Sequence, residues 1–288
     1  MGIVQELTGR QRSFSLEFSP PKKDIPVSSV YGTIEQLAAH RPDFVSITYG
    51  AGGGNRDRAL EVVSQVNDMG LDVLAHLTCV GADSSMIADM LDKLEALHIK
   101  NVLALRGDVP EGMDKETAFI FYQHASDLIM EIKKRPGFVV GAAAYPEAHA
   151  ESPSTEKDIE FMKLKAELGV DFFITQLCFD NCAVVEFYER CDKAGIHAPI
   201  AAGIMPVINP KQIVRMSLMS ACSIPAPLSK IICLYGEKPD EFKKAGLDYA
   251  IRQIDQLSNN GINKFHLYTM NKADGIEQII TQSGLSLA

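Results

Sequence analysis

Eight short apolar runs, each trailed by a longer stretch of helical character, limit what this chain can fold into. They are "FSLEFS" (14–19), "FVSITY" (44–49), "DVLAHLTC" (72–79), "NVLALRG" (101–107), "FVVGAAAY" (138–145), "DFFITQL" (171–177), "PIAAGI" (199–204) and "KFHLYT" (264–269). Most are apolar throughout rather than alternating, the pattern of parallel strands covered on both faces. A helix between successive strands returns the chain to the same direction each time, and eight such units favour a closed (β/α)8 barrel of the TIM type over an open doubly wound sheet. A chain of 288 residues, 46% of them hydrophobic, with no linker-like run of Pro, Ser or charge, suits one such barrel. The expectation is an α/β chain with a single domain over 1–288. Residues 209–262 add helical material before the last strand, and "SKIICLYG" within them reads as helix rather than a ninth strand.

The intervening segments carry helical periodicity. "SMIADMLDKLEALHI" sets Met86, Met90, Leu94 and Leu97 on one stripe, and "EKDIEFMKLKAELG" offers Ile159, Met162 and Leu164 or Ala166 for an inner face before closing on Gly169. Asn55, Asp83 with Ser84, and Ser154 with Thr155 are the expected helix starts.

The glycine-rich "SITYGAGGGNRDRA" (46–59) invites a dinucleotide reading, but Asn55 stands where a G-x-G-x-x-G fingerprint needs its third glycine, and the next strand ends "AHLTC" without the ribose-binding acid. No Gly-Lys-Ser/Thr closes a P-loop either. In a barrel the same loop lies at the C-terminal face, where active sites are built. Other strand ends carry chemistry too: Glu17 within the first run, His76 in the third, Arg106-Gly107-Asp108 after the fourth, Tyr145 after the fifth, Thr175-Gln176 in the sixth, and His266 with Tyr268 in the eighth. Singly, each has a plain structural explanation. Together on one face they indicate a site.

A net charge of -9 argues against a nucleic-acid or anionic-membrane partner. The N-terminus lacks a secretory pattern, and no apolar run approaches the roughly 20 residues that span a bilayer, so a cytoplasmic location is expected. Six cysteines form no C-x-x-C pair, and Cys178 and Cys182 have no histidine at ligand spacing. Buried, reduced thiols and no metal site are the expectation.

In order along almost the whole chain, "SLEFSPPK", "VSITYGAGG", "AHLTC", "LALRGD", "GAAAYPEAH", "FFITQLCFD", "GIMPV" and "FHLYTMN" resemble the methylenetetrahydrofolate reductase family, in a bacterial type limited to the catalytic domain. The resemblance implies FAD at the C-terminal ends of the strands. NADH or NADPH reduces it, and methylenetetrahydrofolate then takes the same face and accepts the hydride. It makes Glu17 the general acid, a role to which an apolar strand lends itself, since burial alone raises a carboxyl pKa. It places Asp108 beside flavin and pterin. FAD contacts implied by the resemblance are Thr48, Tyr49, Ala51, His76, Arg106, Gly107, Asp108, Ala125, Tyr145, His149, Asp158 and Lys165. For the substrates it points to Thr48, Asp108, Gln176, Gln212 and Lys272. It further implies a homo-oligomer, no regulatory domain, and leaves open a partner subunit of the kind some anaerobic relatives use.

Departures fall at two ends of the expected site. Lys272 stands where arginine is common, and Met216 where an aromatic residue is common. His124 replaces a tyrosine, and Phe161 and Leu164 occupy positions that are polar in some members. Rival readings fare less well. A Schiff-base aldolase would want a lysine where Thr175-Gln176 stands, and a phosphate-gripping barrel would want glycine turns in "GIMPVINP" and "HLYTMN". A proline-dehydrogenase-like FAD barrel does not explain Glu17 with "LALRGD". A non-catalytic flavin-binding subunit should have lost Glu17 or Asp108, and both are present.

Overall fold

The computed structural model describes residues 2–49, 56–110 and 112–285. Each of the eight apolar runs contributes one strand: β1 (Ser13–Phe18), β2 (Val45–Ile47), β3 (Val73–Thr78), β4 (Asn101–Leu105), β5 (Val139–Ala144), β6 (Phe172–Thr175), β7 (Ile200–Ile204) and β8 (Lys264–Tyr268). They pair in sequence order, all parallel, and β8 closes on β1. The chain is a (β/α)8 barrel. The helices are α1 (Ile3–Gly9), α2 (Tyr31–Ala38), α3 (Arg56–Asp68), α4 (Ser84–Ala96), α5 (Lys115–Ala118), α6 (Ala125–Lys133), α7 (Thr155–Glu167), α8 (Asn181–Lys193), α9 (Pro210–Ser220), α10 (Ala226–Tyr235), α11 (Pro239–Asn259) and α12 (Ile276–Gln282). The expected extra material before the last strand is α9 to α11, and "SKIICLYG" belongs to α10.

Strand alternation sorts the side chains into two layers. Phe14, Leu16 and Phe18 of β1, with Val73, Ala75 and Leu77 of β3, face outward into the main core beneath the helices. The inward residues fill the barrel. At its amino end Phe44, Leu74, Leu103 and Phe172 form an apolar plug with Ile3 and Leu7 of α1. Above that plug the inward positions turn polar, and there the site is built.

Asp83 caps α4 by accepting from the Met86 N–H at 2.8 Å, and Ser154 caps α7 by accepting from the Lys157 N–H at 3.2 Å. Asn55 lies outside the described residues. One expected core stripe is rotated. On α4 the buried residues are Ile87, Met90, Leu91 and Leu94, while Met86 is exposed. The sheet meets that helix about one position further round than the Met86 stripe supposed. On α7 Met162 is buried and Ile159 and Ala166 pack against the core, the second of the two expected stripes, while Leu164 is exposed and borders a cavity. Cys79, Cys178, Cys191 and Cys222 are buried as expected, whereas Cys182 and Cys233 are exposed on the outer faces of α8 and α10. No described helix is long and apolar enough to cross a membrane.

The crossover from β7 to β8 depends on one close approach. A Cβ on Gly246, in the middle of α11, would lie 1.7 Å from the Val207 carbonyl oxygen. Backing α11 away would lift Leu247, Ala250 and Ile254 out of the core. Gly246→Ala is therefore expected to lower stability by about 3 kcal/mol, within the usual range for overpacking, read as a fall in the urea midpoint with unchanged slope.

Candidate active site

Glu17 is the penultimate residue of β1 and stands in register with Ser46 of β2 and Tyr268 of β8. Its Oε2 lies 3.4 Å from His266 Nε2 and 3.6 Å from His76 Nε2. Each imidazole has a serine partner on the neighbouring strand: His266 Nδ1 is 2.7 Å from Ser15 Oγ, and His76 Nε2 is 2.6 Å from Ser46 Oγ. Tyr268 reaches across to donate its hydroxyl to the Thr175 carbonyl at 2.7 Å. Only a glycine at 203 admits that crossing, since a Cβ there would be 2.8 Å from the Tyr268 ring and hydroxyl.

Burial pushes the Glu17 carboxyl up, but the hydrogen bond with His266 and the charges of His76 and His266 outweigh it, leaving Glu17 below the ordinary value. This corrects the sequence argument, which counted burial and not the histidines. Burial takes His76 down to about 4, so its ring is neutral at pH 7 and the His266 hydrogen bond carries the effect there.

Beside this axis a cavity of about 420 Å³ opens between the ends of β4 and β5 and the helices α6 and α7. It gathers Arg106, His124, Ala125, Tyr145, His149, Asp158, Phe161, Leu164 and Lys165. Asp158, Phe161 and Lys165 stand at i, i+3 and i+7 on α7, which sets them on one helical face. Lys165 Nζ donates to the Ala143 carbonyl at 2.8 Å, and burial lowers the ammonium to about 8 against the opposing charge of Asp158. Burial in turn raises Asp158. His149 packs edge-on to Tyr145 at 4.9 Å and accepts the Glu151 N–H on Nδ1, so in the neutral ring the proton sits on Nε2. Burial, then the charge of Arg106, hold His149 below its usual value. Arg106 is engaged by Glu151, Nη1 and Nη2 donating at 2.7 and 3.2 Å, and Lys115 adds a contact to the same carboxylate at 2.9 Å. Those donors hold Glu151 at about 2.

The remaining expected residues that the structure describes do not line the cavity, apart from those named above. Thr48 donates to Ser19 Oγ at 2.9 Å, and Tyr49 is buried with the Arg56 guanidinium 5.9 Å from its ring. Ala51 lies outside the described residues. Gly107 has φ +82, and a Cβ there would be 2.7 Å from Val80 Cγ1, so the turn that presents exposed Asp108 needs glycine. Gln176 Oε1 accepts the Leu177 N–H at 2.9 Å, Gln212 is in the first turn of α9, and Lys272 is exposed after β8. Met216 packs on the satellite cluster of α9 to α11. Ser15, Ser46, Lys115 and Glu151 were not anticipated. Period-two spacing from Glu17 and Thr48 would have put the two serines on the inward face, whereas nothing local marks Lys115 as a partner of Glu151.

A profile described as methylenetetrahydrofolate reductase matches residues 3–284. The chain belongs to the methylenetetrahydrofolate reductase family. It is 34% identical over 265 residues to the 5,10-methylenetetrahydrofolate reductase of Escherichia coli (strain K12), covering 92% of this chain and 88% of that one. Methylenetetrahydrofolate reductase (NADH) 1 of Arabidopsis thaliana is 34% identical over 291 residues, which are 96% of this chain and 49% of the plant protein. A solved structure of an uncharacterised Clostridium thermocellum protein, described as binding two copies of 5-methyl-5,6,7,8-tetrahydrofolic acid, superposes with TM-score 0.67 at 16% identity, covering 98% and 97% of the two chains. At that identity the likeness speaks for the barrel fold. The methylenetetrahydrofolate reductase family is one of oxidoreductases, and the polar axis and cavity lie where a barrel enzyme works.

Lys165 is held at a cost that ligand chemistry would explain. It titrates near 8 in the folded chain against 10.5 ordinarily. Below pH 8 both folded and unfolded states keep the proton and the folded state bears the full burial penalty. Between about 8 and 10.5 the unfolded chain alone keeps it, so stability rises with pH across that window. Lys165→Met should therefore stabilise the fold at pH 7 by about 2 kcal/mol and abolish the rise, as measured by denaturant unfolding at pH 7 and pH 10.

Proposed function

We propose that the protein reduces 5,10-methylenetetrahydrofolate to 5-methyltetrahydrofolate, with FAD as bound carrier and NADH or NADPH as donor, the two substrates taking turns at one face. The observation that carries this reading is a largely buried glutamate at the top of the barrel axis, facing two imidazoles, next to a cavity furnished with cations. Bound flavin would supply the chemistry of taking a hydride from nicotinamide and passing it to folate.

The cavity suits such a cofactor. Arg106, Lys165 and the Nε2–H of His149 are charged or aimed donors of the kind a diphosphate needs. Phe161 and Leu164, each 44% exposed, would give its far end an apolar wall. Thr48, Tyr49, Ala51, His76, Gly107, Asp108, Ala125, Tyr145 and Asp158 complete the contacts in this reading.

Glu17 would protonate the bridging nitrogen of the substrate, opening its five-membered ring to the iminium that is reduced. Free of ligand, Glu17 is ionised at neutral pH. A folate ring laid over its 19% exposed side chain would remove its remaining water and favour the protonated form. Asp108 on the rim would hydrogen-bond the pterin and stabilise developing positive charge. Gln176 and Gln212 would orient the substrate rings, and Lys272 would meet the carboxylate tail as a point charge. The likeness to a barrel described as binding 5-methyl-5,6,7,8-tetrahydrofolic acid supports a folate as the small-molecule substrate.

Glu17→Gln is expected to keep flavin reduction by NADH within about twofold and to slow folate reduction by about 10²- to 10⁴-fold, the span of general acid catalysis. Stopped-flow measurement of both half-reactions decides it, and equal losses in the two would overturn the role. Glu151→Gln addresses the cavity. Removing the carboxylate that occupies Arg106 should tighten FAD binding to the apoprotein about tenfold, or about 1.4 kcal/mol, in a flavin fluorescence titration.

A further inference from the structure

We propose that His266, held by Ser15 as its Nε2–H tautomer, is a positioning residue that ties up Oε2 of Glu17, so that the proton Glu17 delivers resides on Oε1. The inference rests on Glu17 being the acid and assigns the atom that acts.

The geometry carries it in three steps. His266 is fully buried, stacked on Phe44 with ring centroids 6.1 Å apart and met edge-on by Tyr268 at 5.4 Å. Both aromatic neighbours hold the ring plane, so its nitrogens must find partners where they point. Nδ1 points at Ser15 Oγ, 2.7 Å away, and Nε2 at Glu17 Oε2, 3.4 Å away. The ring meets no other hydrogen-bonding group among the described residues.

Second, an ionised carboxylate only accepts. Nε2 must then be a protonated nitrogen, and in the neutral ring Nδ1 is left as an acceptor to which the Ser15 hydroxyl donates. The hydroxyl's other acceptor, the Phe265 carbonyl, is 3.4 Å away, a poorer bond than the one at 2.7 Å.

Third, the other groups facing Glu17 do not compete for this role. From β3, His76 Nε2 is 3.6 Å from Oε2 but 2.6 Å from Ser46 Oγ, so its hydrogen bond goes to the serine. From β8, Tyr268 gives its hydroxyl to the Thr175 carbonyl. From β2, Ser46 is engaged with His76. Oε2 therefore faces both imidazoles and Oε1 is left to the substrate side. Protonation on Oε1 leaves Oε2 a carbonyl-type acceptor, so the Nε2–H bond survives in both states of the acid. The proton passes from Oε1 to the substrate nitrogen, and His266 keeps its own Nε2 proton throughout.

Two measurements test this. In protein labelled with ¹⁵N-histidine, the neutral ring of His266 should show the Nε2–H tautomer alone, with or without Glu17→Gln, and Ser15→Ala should admit the Nδ1–H form. Resonances of the Nδ1–H tautomer in the wild-type protein would overturn the proposal. By stopped flow, His266→Leu should slow the folate half-reaction about tenfold relative to the NADH half-reaction and move its pH profile up by about one unit, because the carboxylate loses a donor. His266→Gln, whose amide N–H can replace Nε2–H, should recover most of both changes. An unshifted profile in His266→Leu, or a glutamine variant no better than leucine, would sink the assignment. Equal loss of both half-reactions in Glu17→Gln would instead remove the acid role itself, while leaving the tautomer result to stand.

Discussion

A closed parallel barrel gives every second strand residue nowhere to go but its axis, and the chemistry of the molecule follows from how those positions are filled. At the amino end they are large and apolar, with Phe44, Leu74, Leu103 and Phe172 packed against α1. At the carboxyl end the same alternation delivers Ser15, Glu17, Ser46, His76, His266 and Tyr268 into a space with little water. Buried polar groups must then satisfy one another. They do so across strand boundaries, His266 with Ser15 and Glu17, and His76 with Ser46 while its ring also faces the Glu17 carboxylate.

The cavity beside the axis comes from a different compromise. An amphipathic helix on a barrel ordinarily turns its whole apolar face to the sheet, yet α7 buries only Met162. Ile159 and Ala166 pack only partly buried beside it, and Asp158, Phe161, Leu164 and Lys165 line space. The helix gives up core contacts, and Lys165 accepts desolvation, for a wall that combines cation and apolar surface. Arg106 on the opposite side is held by Glu151, whose carboxylate Lys115 also meets, so the site keeps its strongest donor ordered by an internal carboxylate.

The electrostatics of Glu17 show why a residue's environment cannot be read from its own strand. From "FSLEFS" alone a glutamate among apolar neighbours should be hard to ionise. In the barrel the polar groups that face it, His76 and His266, come from distant strands β3 and β8, and their hydrogen bond and charge reverse the direction of the shift. The missed α4 stripe has a milder cause: Met86 and Ile87 are equally apolar in a periodicity argument, and only the angle at which the helix meets the sheet buries one and exposes the other.

Strand count, parallel direction, the helical excursion before β8 and the face that bears the chemistry were all legible in the order of apolar runs and polar strand ends, because period and continuity are local properties of a chain. So was the family, because its motifs are contiguous words. The pairing of Ser15 with His266, of Arg106 with Glu151, the turn of Leu164 away from the core and the sign of the Glu17 shift were decided only by tertiary structure. They depend on closing β8 onto β1, on pairing β4 with β5 and on where α7 meets the barrel, and the resulting distances and desolvation belong to no single segment.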